Sequence, residues 1–453
     1  MSSRKTLRLG LFLQAAGHHV AGWRFPGAEY GSENLAHIVR IARAAEAAKF
    51  DMVFLGDNLA TNAKEHPSFI ARFEPLTLLS ALAMVTERIG LAATASTTYG
   101  EPFHLARAFA SLDHLSGGRA AWNVVTSSSP AIAPNFSRLE QPEHELRYAR
   151  ASEFVAVVQG LWDSWEDGAY LHDTAGGRYI DPARLHTLDH EGHYFKVRGP
   201  LNVTRCPQGQ PVLIQAGSSD TGQDLAARIG EVVFTAQQSL DDALTFYRGL
   251  KARLPDFGRR PEHCLVMPGI LPIVGRTAAE ADDKFATLQG FIEATQAVQL
   301  LSERLGHDIS GYPLDGPVPD LPPSQQNQSR AKLLTDLARR EGLTLRQLYY
   351  LVAGSRGHKI VAGTGVQIAD TLQRWFEAGA ADGFNVMPPY FPGAFDEFIA
   401  EVLPILQERG LFRRGYEGRT LREHLGLPVP LNRYTAQRDA IPHSSTHTSV
   451  NPS

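Results

Sequence analysis

LSGGRAAWNVVTS, residues 115–127, joins a glycine turn to a short strand that ends in polar residues. Gly117 and Gly118 suit a helix end or a tight turn because glycine adopts positive φ without a steric cost. The apolar run 120–125 has the length of a strand, and Asn123 lies inside it. A strand that ends in polar groups is what the active rim of a parallel barrel needs. The alternative is a buried strand whose one amide bonds neighbouring backbone.

Strand and helix patterns alternate along the chain on both sides of this stretch. The other apolar runs of strand length lie at 7–14, 50–55, 89–95, 212–215, 232–235, within 265–273, at 358–363 and at 383–387. Segments with a helical spacing of apolar residues separate most of them. We predict an α/β fold, a closed (β/α)8 TIM barrel with insertions. The alternation alone leaves an open doubly wound sheet as the alternative.

Two long segments interrupt the alternation. Residues 166–210 are rich in Gly, Asp, His and Pro, and residues 277–356 contain helical patterns around a Pro-rich patch. Insertions of this size usually form functional lids or mobile segments. We expect residues 1–432 to form a single barrel domain that carries both insertions. The Ser-, Thr- and Pro-rich segment 433–453 is predicted to be a flexible tail.

The composition restricts the kind of partner. The chain has 453 residues, of which 43% are hydrophobic and 20% charged, a formal charge of -4 and two cysteines. These values favour neither nucleic-acid nor membrane-surface binding, and they support no disulfide framework. No apolar run approaches the ~20 residues of a membrane span. We expect a cytoplasmic protein that acts on a small molecule.

Polar side chains follow several of the predicted strands. Asp57 and Thr94 follow the second and third strands, Asn123 lies in the fourth, and Ser218 and Ser219 follow the fifth. In a parallel barrel these positions face one pocket. Serines directly before a helix suit a phosphate cradle and, equally well, an ordinary N-cap, because both use the free N–H groups of the first turn.

Histidines supply the remaining candidates. His144 and Tyr148 are four residues apart on a predicted helix, so they share a face, although such a pair is more often ordinary packing. His18 and His19 follow the first strand, where a histidine at a pocket mouth can shuttle a proton near neutral pH. A surface loop explains them nearly as well. His358, before the last repeat, is a further candidate for the same pocket.

Two other motifs carry less weight. The glycines at 363 and 365 lack the third glycine of a dinucleotide fingerprint, and Thr364 with Gln367 fits a capping box instead. Zinc-like spacing occurs among three histidines of the first insertion, His186, His190 and His193. They lack a helical HExxH frame. We predict no metal and keep a metal-dependent hydrolase as an alternative function.

Five segments together resemble one known family. They are AWNVVTS (121–127), EHELRYARASEFVAVVQGLWDSW (143–165), QAGSS (215–219), EVVFT (231–235) and GTGVQIADTLQRWFEAGAADGF (363–384). They resemble the nitrilotriacetate monooxygenase and dibenzothiophene sulfone monooxygenase family, a branch of the bacterial luciferase-like flavin enzymes. The resemblance implies an oxidoreductase of the two-component kind, in which a separate NAD(P)H:FMN reductase supplies reduced FMN and O2 is the oxidant.

The resemblance also implies roles for single residues. Positions that line the FMN site of that family correspond here to Asp57, Thr94, Asn123, His144, Tyr148, Ser218 and Ser219. Family members carry a histidine in the first loop on the substrate side of the flavin, which makes His18 and His19 the catalytic candidates. We expect a sulfone, organosulfur or amine-type substrate and a homodimer or homotetramer. A non-catalytic flavin-binding protein and a deazaflavin enzyme are the further alternatives.

Overall fold

The computed structural model describes residues 6–29, 31–63, 65–322 and 328–440. Nine parallel strands form its centre: β1 (Arg8–Phe12), β2 (Met52–Leu55), β3 (Gly90–Ser96), β4 (Ala120–Val125), β5 (Val212–Gln215), β6 (Val232–Thr235), β7 (Leu265–Val274), β8 (Lys359–Gly363) and β9 (Gly383–Val386). All of them except β8 close into a ring, because β7 pairs with β6 and β9, and β9 pairs with β1. The predicted (β/α)8 barrel is confirmed, and the open sheet is wrong.

Strand β8 lies outside the ring, although the sequence pattern marks it as a strand like the others. It pairs with the second half of β7, from Ile270↔Lys359 to Val274↔Gly363. At Ile270, β7 pairs with β8 on one edge and with Val386 of β9 on the other. The first half of the ten-residue strand β7 therefore pairs with strands of the ring, and its second half pairs with β8.

Helices surround the ring. They are α1 (Leu35–Ala47), α2 (Pro67–Ile70), α3 (Pro75–Ala83), α4 (Pro102–Ser116), α5 (His144–Trp162), α6 (Asp220–Ile229), α7 (Leu240–Arg253), α8 (Ala278–Gly290), α9 (Ala294–Leu305), α10 (Gln328–Glu341), α11 (Leu345–Ser355), α12 (Gly365–Glu377), α13 (Gly393–Glu401), α14 (Leu403–Glu408), α15 (Leu421–Leu425) and α16 (Arg433–Ala440). Within the described ranges, no helix is both long and apolar enough to cross a membrane.

The signature stretch folds as its residue types predict. Gly117 ends α4 in the left-handed conformation with φ 68°, so the chain can turn directly into β4. Along β4 the side chains alternate: Trp122 and Val124 pack among the outer helices, whereas Ala121 belongs to the cluster inside the ring. The same alternation places Asn123 on the inner face. The glycine turn thus sets where the strand starts, and the period of two sets which residue faces the centre.

The two insertions are built differently. The first contains two small hairpins, Tyr170–Asp173 with Arg178–Ile180 and His190–Glu191 with Lys196–Val197. The second contains α8 to α11 and has its own apolar cluster. That cluster includes Val20 and Ala21 of the loop after β1, so the second insertion packs over this loop. The apolar faces of its helices pack together and give the insertion a core of its own.

Helix α16 occupies the start of the segment that was predicted to be flexible. The buried carboxylate of Glu166 accepts hydrogen bonds from His186, Thr435 and Arg438, at 2.8, 2.7 and 2.8 Å. A polar segment tends to be disordered when its polar groups find no partners. Here the first insertion supplies Glu166 as the partner of Thr435 and Arg438. Residues 441–453, the rest of the predicted tail, lie outside the described residues.

Candidate active site

A cavity of about 600 Å³ lies at the carboxyl end of the barrel. Its apolar floor belongs to the cluster inside the ring and includes Phe12, Phe54, Phe234 and Met387. Polar residues at or after the ends of β2 to β5 form one wall, together with the first turns of α5. The predicted convergence of strand-end residues on one pocket therefore takes place.

Asn123 and Thr94 form the best-defined polar pair of this wall. They lie opposite each other in the β3–β4 register, and Asn123 Nδ2 donates to Thr94 Oγ1 at 2.8 Å. Both are buried, at 3% and 5% exposure. Asn123 Oδ1 has no hydrogen-bond partner in the described part of the chain. A buried acceptor left unpaired costs about 1–3 kcal/mol, so this oxygen indicates a donor supplied by a ligand.

Asp57 lies on the same wall, directly after β2. Arg72 Nε is 3.5 Å from its carboxylate, and the Arg72 guanidinium stacks on Phe69 at 4.4 Å. Burial raises the pKa of Asp57, and the positive charge of Arg72 opposes this shift. The carboxyl group thus lies at the cavity with one cation fixed beside it.

The loop between β5 and α6 places the start of a helix at the cavity. Ser219 is the N-cap of α6 and its Oγ accepts from Gly222 N at 3.1 Å. A Cβ on Gly217 would lie 2.8 Å from Gly222 Cα and 3.1 Å from the Tyr148 hydroxyl, so only glycine fits. The first-turn N–H groups of a helix favour an anion. Ser219 therefore serves as a cap and also lies on the cavity wall.

Ser218 is the one flavin candidate that is not among the lining residues of the cavity. Its carbonyl oxygen accepts a hydrogen bond from Gln223 Nε2 at 3.2 Å. Gln215, which sequence reasoning did not single out, does line the cavity, and its Oε1 accepts from Gly217 N at 2.6 Å. The side chain of Gln215 thus fixes the backbone of Gly217, directly before the two serines of the predicted phosphate cradle.

Helix α5 presents His144 and Tyr148 to the cavity, with ring centroids 4.7 Å apart. Burial, and then the charge of Arg147, lower the pKa of His144. Arg147 donates to the carbonyl oxygen of Ser127, a residue with the left-handed φ of 48°. His144 and Tyr148 therefore share a face of α5, as predicted. Arg147, which lies between them in sequence, holds the loop after β4.

The sequence profile of the luciferase-like monooxygenases matches residues 16–382. The chain belongs to this family. N-acetyl-S-(2-succino)cysteine monooxygenase of Bacillus subtilis strain 168 is 54% identical over 96% of this chain and 99% of the relative. Nitrilotriacetate monooxygenase component A of Aminobacter aminovorans is 48% identical over 95% and 99%. A riboflavin lyase solved with modified FMN and riboflavin has a TM-score of 0.85 at 33% identity, over 94% and 97% of the two chains.

In this luciferase-like monooxygenase, His18 and His19 lie away from the pocket mouth. Both have 0% exposure, and neither is among the residues that line the cavity. His18 Nε2 donates to the Phe12 carbonyl oxygen at 2.7 Å, and His19 Nδ1 accepts from Ala21 N at 3.1 Å. Burial lowers the pKa of His18 to about 3 and that of His19 to about 4. Both are neutral at pH 7, because the second insertion covers their loop.

The second insertion adds charged residues to the cavity that sequence reasoning missed. They are Glu303 and Arg304 in α9 and Arg356 after α11. The spacing of these three residues matches no known motif. The only sign of them in the sequence is that helical segments of the insertion end in charged residues. His358, the one residue near them that the sequence did single out, lines the cavity and stacks on Phe234 with centroids 5.0 Å apart and rings tilted by 13°.

The three histidines of the first insertion do not converge. His186 Nε2 lies 2.8 Å from Glu166, and His190 Nε2 lies 3.0 Å from Glu153. These two histidines thus orient different carboxylates in structural contacts, and the ring of His193 lies edge-on to that of Tyr194 at 4.6 Å. The predicted capping box of α12 is confirmed: Thr364 and Gln367 each accept from the other's backbone N–H.

Proposed function

We propose that this enzyme is the FMN-dependent oxygenating component of a two-component monooxygenase. Reduced FMN would come from a separate NAD(P)H:FMN reductase, and O2 would be the oxidant. The observation that carries the proposal is the unpaired, buried amide oxygen of Asn123 in the same cavity as the loop of Gly217 and Ser219 that leads into α6. The 33% identity to a structure that holds modified FMN supports it.

The lining residues fit the separate parts of FMN. A flavin ring carries an N–H donor, which Asn123 Oδ1 would accept while its Nδ2 stays bonded to Thr94. The phosphate would lie at the first-turn N–H groups of α6, beside the hydroxyls of Ser219 and Tyr148. The apolar floor suits the flat ring face. Ser218 would contribute its backbone N–H to this phosphate site.

The protein would bind, orient and shield the reacting groups. Bound reduced flavin supplies the electrons that activate O2, which is the chemistry of the cofactor. His144 is neutral at pH 7 because its pKa is lowered, so its ring offers one N–H and one lone pair to the cavity. The apolar floor and the second insertion would limit the access of water to the reacting groups, which protects reactive oxygen species from side reactions.

His18 and His19 would act as positioning residues. His18 holds the carbonyl group of Phe12, and its ring contacts the Phe12 ring edge-on at 4.6 Å. Phe12 lies on the cavity floor. A histidine with a pKa of about 3 does not shuttle protons efficiently at neutral pH, because its protonated form is rare.

The substrate would be a small organosulfur or amine-type compound. The support is the 54% identity to an enzyme named for an S-substituted cysteine and the 48% identity to one named for nitrilotriacetate. The first compound is a thioether and the second a tertiary amine. Both have a heteroatom with a lone pair next to carbon, where oxidation by one atom of O2 is chemically reasonable.

The test is an anaerobic titration of the protein with reduced FMN, followed by mixing with O2 and a thioether substrate. We expect binding of reduced FMN, and oxidation product in wild type. Asn123→Ala should weaken binding ~10-fold or more, since a hydrogen bond to a buried amide is lost. Asn202→Ala, at an exposed asparagine of the first insertion, is the matched control. Absence of reduced-FMN binding would overturn the proposal, and binding without product would favour the non-catalytic alternative.

A further inference from the structure

The second insertion provides a charged wall to a cavity whose other wall comes from the strand ends. Arg304 lies in the last turn of α9, and Arg356 is the C-cap of α11 with φ 57°. Both line the same cavity as Asn123. The flavin candidates all come from the barrel itself, so none of them belongs to this insertion. The two walls can therefore recognise two different molecules.

Arg304 is partly buried, and no hydrogen-bonded carboxylate neutralises it in the described part of the chain. Burial lowers the pKa of Arg304, while Glu303 and Glu65 raise it through space. The guanidinium group stays protonated at any physiological pH. A guanidinium that has lost part of its water binds a carboxylate well, because two parallel N–H donors match two oxygens.

Arg356 lies on the wall of the same cavity and is held there by an aromatic contact. Its guanidinium lies over the Phe69 ring at 4.1 Å, and Arg72 contacts the same ring at 4.4 Å. Stacking on an aromatic ring restricts the plane of a guanidinium group. Phe69 lies on the cavity wall as well. The aromatic ring thus keeps a second cation at the insertion side of the cavity.

We infer that Arg304, with Arg356, receives a carboxylate group of the substrate, so that the second insertion makes this enzyme selective for acids. This inference rests on the proposed function and extends it to substrate class. The acid group would be held at the insertion, and the heteroatom would extend toward the wall with Asn123. Glu303 and Glu65 face the same arginine, so they limit the negative charge that the wall accepts.

The test compares an acid with its uncharged ester. The probes are N-acetyl-S-(2-succino)cysteine and nitrilotriacetate, each against its methyl ester, with reduced FMN and O2. For Arg304→Gln we expect the KM of the acid to rise ~10-fold or more, with little change in kcat and none for the ester. Glu303→Gln should change the KM of the acid in the opposite direction, because it removes a repelling charge.

Two controls keep the outcomes separate. Arg339→Gln alters an exposed arginine of the same insertion, paired with Asp320 at 2.7 Å, and should leave both KM values unchanged. Anaerobic binding of reduced FMN without substrate reports the proposed function alone, and Arg304→Gln should retain it. If acids and esters respond equally to Arg304→Gln, or wild type does not prefer the acid, the inference is wrong while the monooxygenase proposal stands.

A calorimetric titration of the cofactor-free protein with each acid completes the test. It needs no turnover, so it decides the inference even if reduced FMN does not bind. We expect heat of binding for wild type and for Arg339→Gln, and its loss in Arg304→Gln. No binding of either acid to wild type would overturn the inference.

Discussion

Asn123 donates its amide hydrogen to the hydroxyl oxygen of Thr94, and this single bond determines which end of the amide faces the cavity. Because Nδ2 is used by Thr94, Oδ1 is left as an acceptor, and it has no partner among the described residues. Thr94 thus orients the group that we assign to the flavin ring. A hydroxyl on a neighbouring strand is a positioning element for the site.

Thr94→Val should weaken reduced-FMN binding by roughly 5- to 10-fold, because the released amide can rotate and one buried hydrogen bond is lost. Thr94→Ser keeps the oxygen and should bind as wild type does. Anaerobic fluorescence titration measures both affinities. Equal affinity for wild type and Thr94→Val would show that the amide is held by something else.

Tyr148→Phe should reduce affinity for FMN and leave affinity for riboflavin nearly unchanged. The Tyr148 hydroxyl lies next to Gly217 at the start of α6, where we place the phosphate, and riboflavin has no phosphate. The expected loss is about 1 kcal/mol, or roughly fivefold. Riboflavin serves as the internal control. A parallel loss for both ligands would place this hydroxyl at the ring instead.

Folding stability should fall as the pH drops below 6.5, the ordinary histidine pKa. The unfolded chain binds protons there, whereas His18 and His19 stay neutral until their pKa values of about 3 and 4. The expected slope is about 1.4 kcal/mol per pH unit for each histidine between its two pKa values. Denaturant unfolding at several pH values measures it.

His18→Gln should remove the contribution of one histidine to that slope, whatever it does to stability at pH 7. An unchanged slope in His18→Gln would contradict the burial of this ring.

Arg438→Gln should lower stability by about 1 kcal/mol, because the arginine is half exposed although its partner Glu166 is buried. The other hydrogen bonds to Glu166 remain and limit the loss. Arg178→Gln, whose pair with Asp173 is exposed, is the control and should change little. Calorimetric Tm values measure both. An unchanged Tm in Arg438→Gln would mean that this contact does not stabilise the docking of α16.

The sequence predicted features that depend on local spacing. The inner position of Asn123 follows from the period of a strand, the shared face of His144 and Tyr148 from the period of a helix, and the α12 capping box from a four-residue motif. Each of these features depends only on residues within about four positions of one another in the sequence.

Features that depend on distant packing were missed or misplaced. His18 and His19 are buried because a helical unit about 270 residues later covers their loop. Arg304 and Arg356 enter the cavity for the same reason. Ser218 has the right neighbours in sequence, but the turn before α6 directs its contacts to Gln223. No local pattern contains that information.

The pairing of β7 with β8 has a consequence for how this protein can change during evolution. The second insertion leaves the chain after Val274 and returns at Lys359, and both ends are tied to adjacent hydrogen-bonded strands. The insertion is therefore a separate unit whose two ends are fixed by the paired strands β7 and β8. Its sequence can vary, and with it the chemistry offered to a substrate, while the barrel residues that line the cavity keep their positions.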